Sequence, residues 1–288
     1  MGWWEQRAGL DGTVAVVTGG AGGLGEGITR DLVANGVRVA VIDWDPDAVR
    51  AFSRELTGTG ADVVFHVGDV RDGEALAGVF AAAEQRWGRL DTLVNVVGGT
   101  FAKPFAETSP RAWDALLRMN LGHVLEATSL AIPAMRAGGR GGSIVNITTI
   151  EAHRAAPNFA VYSAAKAAVT QFARTLAVEL APDRIRVNCV APDMSPTPNM
   201  LRLGAEAGST LTDPLGVPIA IPLGRLGTVA DVSHAVVFLV SQLSAYITGT
   251  VLHPDGGTSA SSGWFNWPGD GFGNTVPARV LDVLRAES

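Results

Sequence analysis

The 288-residue chain lacks most of what marks a secreted, membrane or nucleic-acid-binding protein. It has a single cysteine, Cys189, so no internal disulfide can form, which suits a reducing compartment. Cys189 falls in the apolar run 185–191 and reads as a small core residue. No run of Lys or Arg stands out and the formal net charge is -6, which argues against nucleic acid and anionic membrane as partners. No apolar run approaches the roughly 20 residues that span a bilayer. The start, MGWWEQRAGLDG, has no signal-peptide core. Internal repeats and linkers are missing too. The expectation is a soluble, cytoplasmic protein with one folded domain, although its length alone would allow two.

What is present is alternation. Short β-branched apolar runs, the mark of buried strands, occur at 13–18, 37–42, 62–67, 90–97, 143–148, 184–190 and 250–253. Helical patterns lie between them at 26–35, 45–56, 72–87, 110–135, 160–180 and 228–243. Strand–helix alternation implies an α/β fold, a doubly wound (Rossmann) parallel sheet of about seven strands with helices on both faces. Residues 1–10 form an N-terminal segment and 11–257 the domain. The irregular segment 194–222 is long enough to be a functional lid. Residues 258–288 form an extension with Trp264, Phe265, Trp267 and Phe272, expected to pack on the body or over a neighbouring subunit's substrate entrance.

The chemistry concentrates at strand ends. The first strand runs into Gly19-Gly20-Ala21-Gly22-Gly23-Leu24-Gly25, with five glycines in seven residues, and then into a helix. Glycine allows a tight turn and close approach, and a helix N-terminus offers free N–H groups to phosphate. Asp43 ends the second strand about 20 residues on, where a carboxylate would hold a ribose 2′-hydroxyl and repel a 2′-phosphate. No Arg or Lys in the glycine loop or directly after Asp43 offsets it, so NAD is expected over NADP. Asp43 could also cap the helix that follows. Trp44 is placed to cover an adenine edge or to pack half-exposed. Asn95 lies inside an apolar strand and must be hydrogen-bonded, tying neighbouring loops. Asn120 sits mid-helix, where its propensity is poor, so a local bend or a bound water is expected there.

Tyr162 and Lys166 stand four apart on a helix and share a face. A free phenol has a pKa near ~10, and a cation one turn away favours the phenolate. The pair is therefore suited to acid/base work at an alcohol or carbonyl.

These motifs, in order and spacing, resemble the short-chain dehydrogenase/reductase family over residues 11–257. The resemblance assigns Thr18-Gly19 through Gly23-Leu24-Gly25, with Gly22, to the cofactor loop. It assigns Asp69 and Val70 to adenine contact, and Asn95 to Gly98 to the Asn-Asn-Ala-Gly position. Asn120, Thr149, Tyr162 and Lys166 become the catalytic group. Thr149 stands where the family has serine, while Thr148 beside it points the other way by strand alternation. Lys166 would lower the Tyr162 pKa and hold the nicotinamide ribose, Asn120 would hold a water, and Thr197 with Pro192 would hold the carboxamide end. Ile221–Arg225, Tyr246–Gly249 and Asp255–Gly257 match C-terminal signatures. Two further departures are Val96-Val97 for Asn-Ala and Asp193 for the glycine after Pro192.

The implied function is NAD(H)-dependent interconversion of an apolar secondary alcohol and its ketone, with a hydroxysteroid, hydroxyacyl thioester or terpene-like substrate. An apolar wall would come from Met194, Met200, Leu201, Leu203, Leu211, Leu215, Val217, Ile219 and Ile221. His153 and Arg154 would touch a polar end of the substrate or lie in solvent. The alternatives are an NADP-dependent ketoacyl-type reductase and a non-catalytic NAD-binding sensor or scaffold. No metal is implied. A homo-oligomer, tetramer or dimer, is expected, with Ala164, Ala165 and Ala168 at a close helix contact.

Overall fold

The seven apolar runs pair into one parallel sheet in the order β3-β2-β1-β4-β5-β6-β7. The strands are β1 Val14–Thr18, β2 Arg38–Asp43, β3 Val63–Val67, β4 Thr92–Asn95, β5 Gly142–Ile147, β6 Ile185–Val190 and β7 Val251–Leu252. The computed structural model describes residues 2–193, 197 and 213–287. Helices are α1 Trp3–Ala8, α2 Gly23–Ala34, α3 Pro46–Thr57, α4 Gly73–Trp87, α5 Pro110–Leu117, α6 His123–Gly138, α7 Ala160–Glu179, α8 Gly216–Ala220 and α9 Val229–Val240.

Both faces of the sheet are covered, which is why the strands read as continuous apolar runs. Ala15 and Val17 face a core built with Ile28 and Leu32 of α2 and Val236 of α9. Val14 and Val16 face the other core, with Leu76 of α4, Ala131 and Met135 of α6 and Ala173 of α7. β1 pairs with β2 on one side and β4 on the other, so Thr18 lies beside both Ile42 and Asn95. The chain order reverses between β1 and β4. The carboxyl ends on either side of that switch form the crevice where such sheets bind ligands.

Local chemistry sets several boundaries. Asp45 accepts hydrogen bonds from Asp47 N at 2.9 Å and Ala48 N at 3.2 Å, so Asp45, and not Asp43, caps α3. Thr228 and Asp231 form a reciprocal capping box on α9. The single helix expected at 110–135 is two, joined by a π turn, Arg118–Gly122. Beyond the sheet, Phe265–Trp267 and Gly271–Gly273 pair as an antiparallel hairpin. It packs on α8 of its own chain. Met194, Met200, Leu201, Leu203 and Leu211 of the expected lid lie outside the described residues. Ile221 is not a pocket wall, because it is buried in the body beneath Gly256.

Arg186 of β6 closes the end of α9. Its Nη1 donates to Leu239 O at 2.7 Å and to Ser244 Oγ at 2.9 Å, and its Nη2 to Ser241 O at 3.3 Å. A cation satisfies the last carbonyls of a helix both by hydrogen bonding and by complementing the dipole. Replacing Arg186 by Met strands these acceptors. The expected cost is about 2 kcal/mol, seen as a Tm lower by roughly 4–8 °C. An unchanged Tm would show that water replaces the guanidinium.

Candidate active site

The glycine turn between β1 and α2 is set by close backbone approach. A Cβ at Gly25 would sit 1.9 Å from the Gly19 carbonyl oxygen, so no other residue fits. A Cβ at Gly22 would meet nothing within 4 Å, leaving the outer side of the turn open to a ligand. No side chain caps α2, so its first N–H groups are offered outward. Such an open cradle fits a dinucleotide pyrophosphate. Asp43 is buried beside it, accepting from Ala21 N at 3.1 Å and from Asp45 N at 3.2 Å. The carboxylate thus braces the turn. Trp44 next to it is 75% exposed. Thr197 lies over Gly23, at 3.7 Å from where its Cβ would be.

Asp69 follows β3 and is chelated by Arg71, with Nη2 to Oδ2 at 2.5 Å. That guanidinium holds the carboxyl below its ordinary range. Val70 beside it is buried in the core. At the end of β4, Asn95 Nδ2 donates to Asn146 Oδ1 at 2.8 Å. The amide therefore ties two adjacent strands rather than two loops. Asn146 was not singled out from the sequence, although it too is an amide inside an apolar strand.

Asn120 is fully buried in the π turn. Its Nδ2 donates to Gly99 O at 2.8 Å and to Leu116 O at 2.9 Å, and its Oδ1 accepts from Gly99 N at 3.1 Å. The mid-helix amide thus bends the helix and clamps the loop after β4. A Cβ on Gly98 would lie 3.0 Å from both Asn120 Oδ1 and Lys166 Nζ, so this glycine makes room for both.

Lys166 is buried, and its Nζ donates to Ile147 O at 2.9 Å. Burial pulls its pKa down to about 8. Tyr162, one turn earlier on α7, faces the Thr149 hydroxyl. Burial pushes the phenol up to about 12; the hydrogen bond with Thr149 opposes this and the Glu151 charge adds to it. The expected lowering by Lys166 is not what these side chains produce. The ammonium is committed to the Ile147 carbonyl and is itself disfavoured by desolvation. Thr149 accepts from Glu151 N at 3.3 Å. Thr148 turns away and donates to Val190 O at 3.3 Å.

Pro192 O accepts from Ile150 N at 3.2 Å, joining the end of β6 to the Thr149 turn. The Asp193 side chain is 7% exposed and lies 3.6 Å from Arg154 Nη2. Arg154 also donates to Glu151 Oε1 at 2.8 Å. Thr258 is close to Asp193, but its hydroxyl donates to Asp255 O at 2.7 Å, leaving Asp193 Oδ2 without a hydrogen bond among the described residues. Burial raises the Asp193 pKa. This carboxylate faces Arg154 and Thr258 in a network that sequence did not indicate. His153 packs edge-on against His253, with ring centres 4.9 Å apart. No group of three metal-ligating side chains that could hold an ion occurs among the described residues. No described helix is long and apolar enough to cross a membrane.

A glycine turn at the switch point, facing a Tyr, Lys and Thr group across the same sheet edge, defines a nucleotide-dependent oxidoreductase scaffold. Comparison with known proteins agrees. Residues 19–259 match the family model described as enoyl-(acyl carrier protein) reductase. The chain is 34% identical over 248 residues to the 3-oxoacyl-[acyl-carrier-protein] reductase FabG of Thermotoga maritima, covering 86% of this chain and 98% of that one. It is 35% identical over 257 residues to L-fucose dehydrogenase of Bos taurus, covering 88% and 91%. Among solved structures it is similar to 7α-hydroxysteroid dehydrogenase complexed with NADH and 7-oxo glycochenodeoxycholic acid. That match has a TM-score of 0.82 and 28% identity, over 89% of this chain and 98% of that one.

The chain belongs to the short-chain dehydrogenase/reductase family. It is an oxidoreductase of alcohol and ketone substrates that uses a nicotinamide cofactor.

The buried ammonium has a pH signature. Its folded pKa of about 8 lies below the ordinary lysine value of 10.5, so in the window between them the unfolded chain binds the proton and the fold does not. Stability of the native protein, relative to Lys166→Met, should therefore rise as pH goes from about 8 toward 10.5. Melting curves of both across this window test it; a constant gap would mean that the amine is not desolvated.

Proposed function

We propose that this protein is an NAD(H)-dependent dehydrogenase or ketoreductase that interconverts an apolar secondary alcohol and its ketone. One observation carries the reading: Tyr162 faces Thr149, while Lys166 and Asn120 meet under Gly98, all at the strand ends opposite the glycine turn. Gly19, Gly22, Gly23, Leu24 and Gly25 would hold the pyrophosphate, and Asp43 and Trp44 the adenosine end with Asp69 and Val70. Gly98, Pro192, Thr197 and Lys166 would hold the nicotinamide end, behind which Asn95 supports the strand. When bound, the nicotinamide supplies the hydride donor or acceptor and, oxidised, a positive charge.

Tyr162 is protonated at neutral pH and so is placed to give its proton to a ketone oxygen. In the reverse direction it takes the proton of the alcohol. Thr149 orients the substrate oxygen. Lys166 holds a charge close to the phenol and the ribose. Pre-placed groups of this kind are each worth about 10²-fold or more.

The buried carboxylate of Asp43 supports NAD over NADP, as does the NADH held by the 7α-hydroxysteroid dehydrogenase structure. The similarity to FabG keeps an NADP-dependent ketoacyl reductase as the second reading. The complete Tyr, Lys, Asn and Thr group argues against a non-catalytic sensor. Leu215 at the described end of the lid and Leu223 directly after it stand exposed, where they suit an apolar substrate. The unit 11–257, with 194–222 as lid and 258–288 as extension, would form a homo-oligomer through α5, α6 and α7. Leu117, Leu125 and Val178 are exposed there, and Ala164 and Ala168 face outward while Ala165 lies in the core.

Changing Tyr162 to Phe should lower kcat by about 10²-fold or more while leaving NAD binding intact, read from NADH absorbance and from a binding titration. Near-normal turnover would remove Tyr162 from the chemistry. With the native enzyme, NAD should exceed NADP in kcat/KM by about 10-fold, the scale of one lost charge–charge contact. A preference for NADP would favour the ketoacyl reading.

A further inference from the structure

A narrow hollow, open to solvent, lies between the loop after β4 and the loop before α7. Tyr162 forms part of its wall, together with Phe101, Lys103, Phe105, Leu116 and Asn158. The two loops are stitched together where Lys103 N donates to Asn158 O at 3.0 Å. Asn158 holds a φ of 73°, a left-handed backbone that few non-glycine residues adopt, so this junction is fixed by its surroundings. Aromatic surface stands uncovered here, with Phe101 38% and Phe105 56% exposed. Phe105 is nevertheless held in place. Its ring stacks on Trp113, with centres 5.2 Å apart and planes 10° from parallel. Trp113 Nε1 donates to Thr108 Oγ1 at 2.6 Å, and the Thr108 hydroxyl donates to Phe105 O at 2.7 Å. A pre-formed apolar shelf of this kind costs little further ordering when a ligand lies on it. Among the residues that line the hollow, all of them described, Lys103 is the one charged side chain. Its ammonium has no ion-pair or hydrogen-bond partner among the described residues. The methylene stem can lie along the apolar wall while the ammonium keeps its water.

We propose that this hollow takes the tail of the substrate, and that the substrate is a keto acid or hydroxy acid whose apolar chain lies on Phe101 and Phe105 and whose carboxylate meets Lys103. This rests on the oxidoreductase reading and names the kind of alcohol or ketone that Tyr162 would meet. Tyr162 in the wall sets where the reacting oxygen must lie, and the aromatic shelf beside it admits a chain. A neutral tail would leave the ammonium with water alone. A phosphate monoester would bring up to about two negative charges, where the lining offers one cation. A single carboxylate matches it. With an apolar chain excluding water on one side, the charge-assisted contact is stronger than an ion pair on open surface.

The test uses the full chain with straight-chain methyl ketones that end in a carboxylate, from levulinate upward in length, each paired with its methyl ester. At the length that fits, the acid should exceed its ester by about tenfold in kcat/KM, the scale of one hydrogen bond to a charged group. Lys103→Met should bring the acid down to the level of its ester, through KM rather than kcat. Lys103→Glu should put the acid below the ester, and Lys103→Arg should keep the preference. Lys103 is exposed, so these variants should keep the native Tm. An enzyme that reduces ketones but treats acid and ester alike at every length, or that keeps its preference for the acid in Lys103→Met, would overturn the proposal alone. So would one that reduces other ketones and none of these acids. A native enzyme that turns over no secondary alcohol or ketone with either nucleotide would overturn the oxidoreductase reading, and this one with it.

Discussion

The site depends on one costly arrangement: an ammonium, Lys166, taken out of water beneath Gly98 and held by the carbonyl of Ile147. A buried cation is tolerated only where its hydrogen bonds are supplied. Everything around it serves that need. Gly98 has no side chain, so the loop after β4 can lie close. Asn120 clamps that same loop through the Gly99 backbone. The π turn puts the amide in place, and β5 ends at the residue whose carbonyl receives the ammonium. Loosening any of these would let Lys166 move to water and give up the Ile147 carbonyl.

Tyr162 then gains a definite state. Its phenol is buried, faces the Thr149 hydroxyl and feels the Glu151 charge, and it stays protonated well beyond neutral pH. A protonated phenol has a proton to give to a ketone oxygen. To act as a base it needs additional positive charge nearby, which an oxidised nicotinamide brings. On the proposed reading the same groups would serve both directions, the phenol giving its proton to a ketone and taking one from an alcohol. Glu151, Arg154 and Asp193 form a linked set of charges beside this centre, and they anchor the Thr149 turn to the end of β6.

Much of this was legible in the chain. The seven strands show as β-branched runs because both faces of the sheet are buried. The Tyr162 and Lys166 pair stands out in a chain with two tyrosines and only Lys103 as a second lysine. The glycine turn was legible because Gly25 tolerates no side chain. The less visible parts are those set by three-dimensional competition. The π turn leaves no periodic trace, so 110–135 reads as one helix. Asp43 and Asp45 are chemically alike, and only geometry shows that one braces the turn while the other caps α3. The direction of the Tyr162 shift depends on whether the ammonium faces the phenol or a carbonyl, which spacing does not encode. Asn146 is a polar residue among apolar ones, a signal read at Asn95 and Asn120 but not at this position. The hairpin after residue 264 is built from short pieces between glycines, too brief for a periodic pattern.

The most direct test of the account is the ionisation of Tyr162 itself, followed by phenolate absorbance in a protein with Tyr246 changed to Phe, where no other tyrosine remains. The protein alone should ionise at about 12, and saturating NAD should move the titration well down toward neutral pH while NADH should not. A titration that is the same with and without NAD would contradict the placement of the nicotinamide beside Tyr162, and with it the acid/base role of the phenol.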